Sequence, residues 1–429
     1  MTKSLSKTLG QLTALSLLLL FSLLGQAHNN VVVIPMSGDD LKPLKNIVTV
    51  AESNGDFTDP VAAMASITDA DIDNRYLLVI APGIYNLASQ LVLKEYVDIS
   101  GSGRNSTKLS GSISSSGTID GTSALVVGAN NASLHDLSLE NRDGASTTSL
   151  GIYNSGITDL QLSDLSITVT GGTNQYGVYN DSSSPSLSYM SITITGGVNQ
   201  YGVRNTFSSS PTLSNIHITV SGVSNNQIGI QNTSFSSPTL SNISITVSGG
   251  DAVFGVTNSD SSPTLSNIII TVSGGSSQRG VSNTSSLPSM SNMSITVSGG
   301  STQYGVYNSS TSTTLSNMSI TVSGGSSTQY GVFNTSSSST TLSNIRIAVS
   351  GGSGSEYGVY NNDTTSSVRI RNSAISAPTT NSIFAGTPSG SGETYVSDSI
   401  LTGSVDGDPV CSFVFEDTGT ALDSSCQTP

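Results

Sequence analysis

Gly305-Val-Tyr-Asn308, Gly331-Val-Phe-Asn334 and Gly358-Val-Tyr-Asn361 are three spellings of one short motif, Gly-[Val/Ile]-x-Asn. It occurs nine times between Gly151 and Asn361, also at Gly151, Gly177, Gly202, Gly229, Gly255 and Gly280. The steps between these glycines are 26, 25, 27, 26, 25, 25, 26 and 27 residues. A second motif lies between the copies, most often Leu-Ser-Asn-Ile-Ser-Ile-Thr-Val-Ser-Gly-Gly, as at Leu240–Gly250. A unit of this size cannot bury its own apolar face, so a fixed period predicts a stack of units, a solenoid.

Within each unit the apolar residues alternate. Ile243, Ile245 and Val247 are separated by Ser244 and Thr246, the pattern of a half-buried strand. The stretch around Val178 reads the same way, and Pro238–Ser241 forms a third, shorter strand. Gly-Gly-Ser and Ser-Ser-Pro runs supply the turns between strands. Three short strands and three turns per unit predict a coil of an all-β, single-stranded parallel β-helix. No segment of the repeat has the apolar helical period that a leucine-rich repeat requires.

Alternation assigns an inward side chain to Asn180, Asn205, Asn232, Asn258, Asn283, Asn308 and Asn334. A buried amide needs partners, and identical amides one coil apart, about 4.8 Å, predict a structural ladder. The same parity places a second series inward: Asn215, Asn242, Asn267, Asn292, Asn317 and Asn344. The aromatic column Tyr176, Tyr201, Phe254, Tyr304, Tyr330 and Tyr357 is likewise expected to pack inward.

Outside the repeats the chain changes character. Residues 1–27 read as a secretory signal peptide: Lys3 and Lys7, an apolar run from Leu12 to Leu24, then Gly25-Gln-Ala27. That run is too short for a membrane span. The expected location is therefore secreted or at the cell surface, or the periplasm of a two-membrane cell. Residues 28–110 form an N-terminal cap with the first coils, 111–376 the repeats, and 377–429 a C-terminal cap. Asp59 and Pro60 are placed as N-cap and first residue of a short helix ending near Ile67.

The N-terminal region resembles the opening of pectinesterases. The matching segments are Val48–Phe57, Leu78-Val-Ile-Ala-Pro-Gly-Ile-Tyr85 and Asp98-Ile-Ser-Gly-Ser-Gly103, within residues 47–111. The resemblance implies a capped right-handed β-helix of the pectin lyase-like superfamily. It does not bring the activity with it. Leu87 stands where pectinesterases carry a Glu, and the Gln-Asp-Thr and Asp-Phe-Ile-Phe-Gly segments are missing. Asn381-Ser-Ile-Phe-Ala-Gly386 imitates the latter without its aspartate. No catalytic residue is carried over.

Charge and residue counts exclude further classes. Net charge is −14, which lacks the basic footprint of a nucleic-acid binder. Only His28, His135 and His217 occur, in separate segments, so zinc chemistry and a Ser-His-Asp triad have no support. No cofactor is implied. Asp69-Ala-Asp-Ile-Asp73 and Asp406-Gly-Asp408 could each hold calcium, but the first lacks the glycine and the distal Glu of an EF-hand loop, and both read as solvated loop acids. Cys411 and Cys426, the only cysteines, are expected to form a disulfide in an exported cap.

Two outward arrays remain as candidate binding surfaces. Tyr307, Phe333 and Tyr360 occupy one position in three consecutive coils, where a polysaccharide or cell-surface glycan would meet several rings. A column of threonines from Thr168 to Thr321, each followed two residues later by Ser or Thr, resembles the faces of β-helical ice-binding proteins. The leading functional expectation is a non-catalytic surface or matrix protein that binds polysaccharide along its rod. The rival is a polysaccharide-active enzyme with its site in the first coils, where Asp120, Asp136, Glu140, Arg142 and Asp143 gather.

Overall fold

Each coil begins on the Gly-[Val/Ile]-x-Asn strand, and the coil from Ala252 to Gly275 shows the scheme. Strand Ala252–Ser259 buries Val253, Val256 and Asn258. The chain turns through Asp260, in the left-handed region at φ 50°, and returns as strand Thr264–Ser273. That strand bends at Asn267, φ 55°, so Leu265 faces inward on one side of the bend and Ile268, Ile270 and Val272 on the other. Gly274 and Gly275, both at positive φ, lead into the next coil.

A computed structural model describes residues 46–142, 148–363, 365–386 and 393–429. The fold is a right-handed parallel β-helix of about 13 turns. Every coil pairs in parallel with the coils before and after it. Val256, for example, is in register with Ile230 on one side and Val281 on the other. The expected signal peptide at residues 1–27 and His28 lie outside the described residues. Among those described, no helix is long and apolar enough to cross a membrane.

One apolar core runs the length of the stack as columns of like residues, such as Val178, Val203, Ile230, Val256, Val281, Val306, Val332 and Val359, all fully buried. The glycine before each of these has a steric cause. A Cβ on Gly255 would lie 2.3 Å from Ile270 Cγ2 and 2.5 Å from the Gly280 carbonyl oxygen. Only a residue without a side chain lets the backbone pass there.

The same glycine breaks the alternation, and two expectations fail at such breaks. In Gln303–Asn308, Gln303, Val306 and Asn308 face inward while Tyr304 and Tyr307 share the outer face. The aromatics in the column of Tyr304 are therefore half-buried on the outer face, except Tyr176, which is 3% exposed and packs with Leu150 and Tyr179 in a separate apolar cluster. The second asparagine series is not buried either. Asn215, Asn242, Asn267, Asn292, Asn317 and Asn344 are all exposed, with φ between 53° and 57°. They occupy the bend where the strand changes face, and Asn tolerates this left-handed backbone better than most residues.

The described ends are covered by their own chain. Helix Pro60–Ser66 is capped by Asp59, whose Oδ1 accepts from Val61 N at 2.9 Å, and it lays Ala63 and Met64 on the first coils. At the other end strand Val410–Glu416 is paired on its free edge by the returning tail. Cys411 N donates to the Ser424 carbonyl and Leu422 N to the Val414 carbonyl, both at 2.8 Å. A disulfide joins Cys411 to Cys426, with Cα atoms 5.3 Å apart.

Candidate functional site: an aromatic lane on the rod

The two outward columns beside each core valine form a lane along the rod. One runs through Tyr304, Tyr330 and Tyr357, the other through Tyr307, Phe333, Tyr360 and Phe384. Rings stack along each column: Tyr307 on Phe333 at 5.4 Å and 9°, Phe333 on Tyr360 at 5.4 Å and 6°, Tyr360 on Phe384 at 4.4 Å and 6°. Between columns the rings meet edge to face, as Tyr304 and Tyr307 do at 5.3 Å and 85°. Phe333 is buried at 9% exposure, and Tyr307 and Tyr360 are half-buried. Ring faces are therefore spent on one another, while ring edges and tyrosine hydroxyls meet solvent. Among the described residues, the hydroxyls of Tyr307 and Tyr360 have no protein hydrogen-bond partner. Burial pushes the Tyr330 hydroxyl up to about 12, so it stays neutral.

Arginines close the two aromatic groups. Arg279 lies 3.8 Å above the Tyr307 ring, and burial pulls its guanidinium below its ordinary value. Arg204 sits over Tyr176, Tyr179 and Tyr201, at 5.9, 5.5 and 5.5 Å from their centroids. A cation over ring faces contributes about 0.5–2 kcal/mol. Between the arginines the lane carries only Gln231, Thr257 and Ser282 in its second column.

Beneath the lane lies the asparagine ladder. From Asn154 each Nδ2 donates to Oδ1 of the next coil, through Asn180, Asn205, Asn232, Asn258, Asn283 and Asn308 to Asn334, at 2.8–2.9 Å throughout. These amides are essentially without solvent contact, each held between its neighbours in the stack.

Sequence reasoning missed a second buried amide column. Gln175, Gln200, Gln227, Gln278, Gln303 and Gln329 are fully buried. Gln200 donates to Gln175 Oε1, and Gln303 to Gln278 Oε1, each at 2.8 Å. Gln175 also accepts from Gly197 N at 3.0 Å, which ties the Gly-Gly turn to the coil. The signal was present as Gln two residues before the motif glycine, but strict alternation assigned it to solvent. Glu356 ends this column, fully buried, accepting from Gly352 N at 3.0 Å and Thr379 Oγ1 at 2.5 Å.

The acids of the first coils are held separately by their own neighbours. Glu140 lies between Lys108 Nζ at 2.9 Å and Arg142 Nη2 at 2.6 Å. The Arg142 hydrogen bond holds its carboxyl below the ordinary carboxylate value, with burial opposing and Lys108 adding to the effect. Asp136 sits at a bend, φ 58°, against His135 Nδ1 at 2.8 Å. Asp120 caps the short 3-10 turn Gly121–Ser123 through Thr122 N at 2.9 Å. Asp143 lies outside the described residues. In the loop Asp69–Asp73, Asp69 accepts from the Tyr76 hydroxyl and Asp71 from the backbone NH groups of Asp73 and Asn74. Among the described residues no three His, Cys, Asp or Glu side chains gather as a metal site would require.

No family model and no curated protein matches the chain. Among solved structures it is similar to the mannuronan C-5 epimerase AlgE4 A-module of Azotobacter vinelandii: 14% identity, 81% of this chain and 92% of that one, TM-score 0.43. It is also similar to a GH87 alpha-1,3-glucanase catalytic domain in complex with tetrasaccharides, at 15% identity, over 90% and 68% of the two chains, TM-score 0.40. Carrot pectin methylesterase matches at 11% identity, over 66% and 84%, TM-score 0.33.

Proposed function

We propose that this chain is an exported, non-catalytic β-helical rod of the cell surface or extracellular matrix that holds polysaccharide along its aromatic lane. The observation that carries this reading is the run Tyr307, Phe333, Tyr360 on consecutive coils, locked by stacking at 5.4 Å. Rigid rings lose little entropy when a ligand binds. Tyr307 and Tyr360 offer unpartnered hydroxyls and C–H edges to sugar hydroxyls, while Phe333 fixes the spacing between them. Each contact is weak, and an extended glycan adds several of them through multivalency. The non-catalytic part rests on the first coils, where Glu140 is neutralised by two cations and Asp120 and Asp136 are engaged locally.

Affinity electrophoresis against a panel of neutral and acidic polysaccharides tests the reading. Retardation of the wild-type protein by at least one glycan is expected, and Tyr307→Ala with Tyr360→Ala should abolish it while leaving the β dichroism intact. Absence of retardation by every glycan defeats the proposal. Turnover of pectin that vanishes in Asp136→Asn would instead favour the enzyme.

A further inference from the structure

We propose that two copies of the chain pair tail to tail through the outer side of their last coils, an interface separate from the aromatic lane. Two columns carry the argument. On the strand before the bend, Arg369 is in register with Tyr395 and Tyr395 with Val410. On the strand after it, Arg346 is followed by Ala374, Ile400 and Phe415. Both columns run from a cation to exposed apolar residues over two or three coils, about 10–14 Å. Acids close the last coil, Asp408 before Val410 and Glu416 with Asp417 after Phe415.

The charges on this side are unspent. Among the described residues, Arg346, Arg369 and Arg371 are the cations with neither an ion pair nor a hydrogen bond; each of the others holds a carboxylate, a carbonyl or a hydroxyl. Asp408 and Asp417 likewise meet no cation among the described residues. Phe413 stands at the corner between the two columns, 76% exposed with φ 56°. The three preceding coils place Asn344, Asn372 and Asp398 at this bend. Asn and Asp tolerate the left-handed backbone, whereas a bulky ring there is strained, and strain kept at one position points to a use for the side chain. Beside Phe413, Arg369, Tyr395, Val410 and Ser412 line a groove of about 180 Å³, with Arg369 5.1 Å from the Tyr395 ring centroid. A cavity of about 150 Å³ takes a benzene ring.

The order of these groups selects a second copy as the occupant. A two-fold axis across the rod lays the series cation, apolar, acid over itself in reverse. Apolar residues then meet apolar residues, and the arginines of each copy meet the acids of the other. Phe413 of each enters the groove of the other, the reciprocal contact that defines an isologous dimer. A partner of one charge would match one end of this surface and be repelled at the other.

Sedimentation velocity of the purified full chain tests the pairing. Wild type is expected to dimerise in the micromolar range and to dissociate more readily as salt rises. Phe413→Asn installs the bend residue of neighbouring coils, so the fold is retained, and it should raise the dissociation constant about tenfold or more. Arg369→Glu with Arg371→Glu should be monomeric, and so should Asp408→Lys with Asp417→Lys. Mixed together, these two proteins should form a heterodimer, because each then meets opposite charge at both ends; misfolded chains would not pair. A wild-type monomer at about 100 μM overturns the proposal. So does an unchanged dimer in Phe413→Asn, or a mixture that stays monomeric. A monomer whose retardation by an acidic glycan is lost in the arginine variant would give the groove to that sugar and overturn the pairing.

Discussion

Asn258 and Asn267 belong to the same coil and read alike in the sequence, yet they do opposite work. Asn258 is buried, donating to Asn283 and accepting from Asn232, both at 2.8 Å. Replacing it with Leu strands both neighbours and should cost about 1–3 kcal/mol in chemical denaturation. Asn267 is exposed at φ 55°, and what matters there is the backbone. Asn267→Gly should be nearly neutral, and Asn267→Val should cost about 1–2 kcal/mol from left-handed strain. Equal costs for Asn267→Gly and Asn258→Leu would contradict this division. Glu140 gives a pH prediction. Its folded carboxyl titrates below its ordinary value, so its contribution is present above that value and lost as pH falls through the lower, folded one. Glu140→Gln should flatten the acid limb of stability against pH below about 4.5. An unchanged limb would mean that the Lys108–Glu140–Arg142 cluster contributes nothing.

At the scale of the strand, the motif glycine decides which faces exist. Its missing Cβ lets Ile of the opposite strand and the next backbone approach, and as an extra residue in the alternation it leaves Tyr304 and Tyr307 on the outer face with Val306 inward between them. The two columns of the aromatic lane flank that glycine and valine. Gly280→Ala would place a Cβ 2.3 Å from Ile295 Cγ2 and 2.6 Å from the Gly305 carbonyl. The expected loss is about 1–3 kcal/mol, read as a lower Tm, with Tyr304 fluorescence altered because its column shifts. Gly156→Ala is the contrast: a Cβ there meets nothing within 4 Å, and only its φ of 68° opposes it. Alanine tolerated equally at both sites would refute the close-approach argument.

Over the whole molecule, stability is a sum of coils and their interfaces. Removal of residues 255–279 joins Phe254 to Gly280 and preserves every column, because that step is one period of 25 residues. The shortened protein should fold with the same β dichroism and a lower unfolding midpoint. Loss of folding would show that the coils are not equivalent units.

The period, the alternation and the turn residues were enough to determine a parallel β-helix, because stacking identical units leaves few other ways to bury Val and Ile. They also singled out the position of Tyr307, Phe333 and Tyr360, whose side of the strand follows from parity with the core valine. What alternation could not carry was any position beyond a residue that breaks it. The motif glycine reversed the sides of Gln303 and Tyr304. The left-handed bend at Asn267 separated two asparagine series that parity had joined. Neither break is visible in a count by twos, since each arises where a backbone from the neighbouring coil, or a change of sheet face, fixes the local dihedral. Tertiary structure also decided the chemistry of the first coils. Their acids are close in sequence, but strand pairing brings Lys108 to Glu140, to which Arg142 of the same strand adds a second cation, while Asp120 and Asp136 are left to separate turns.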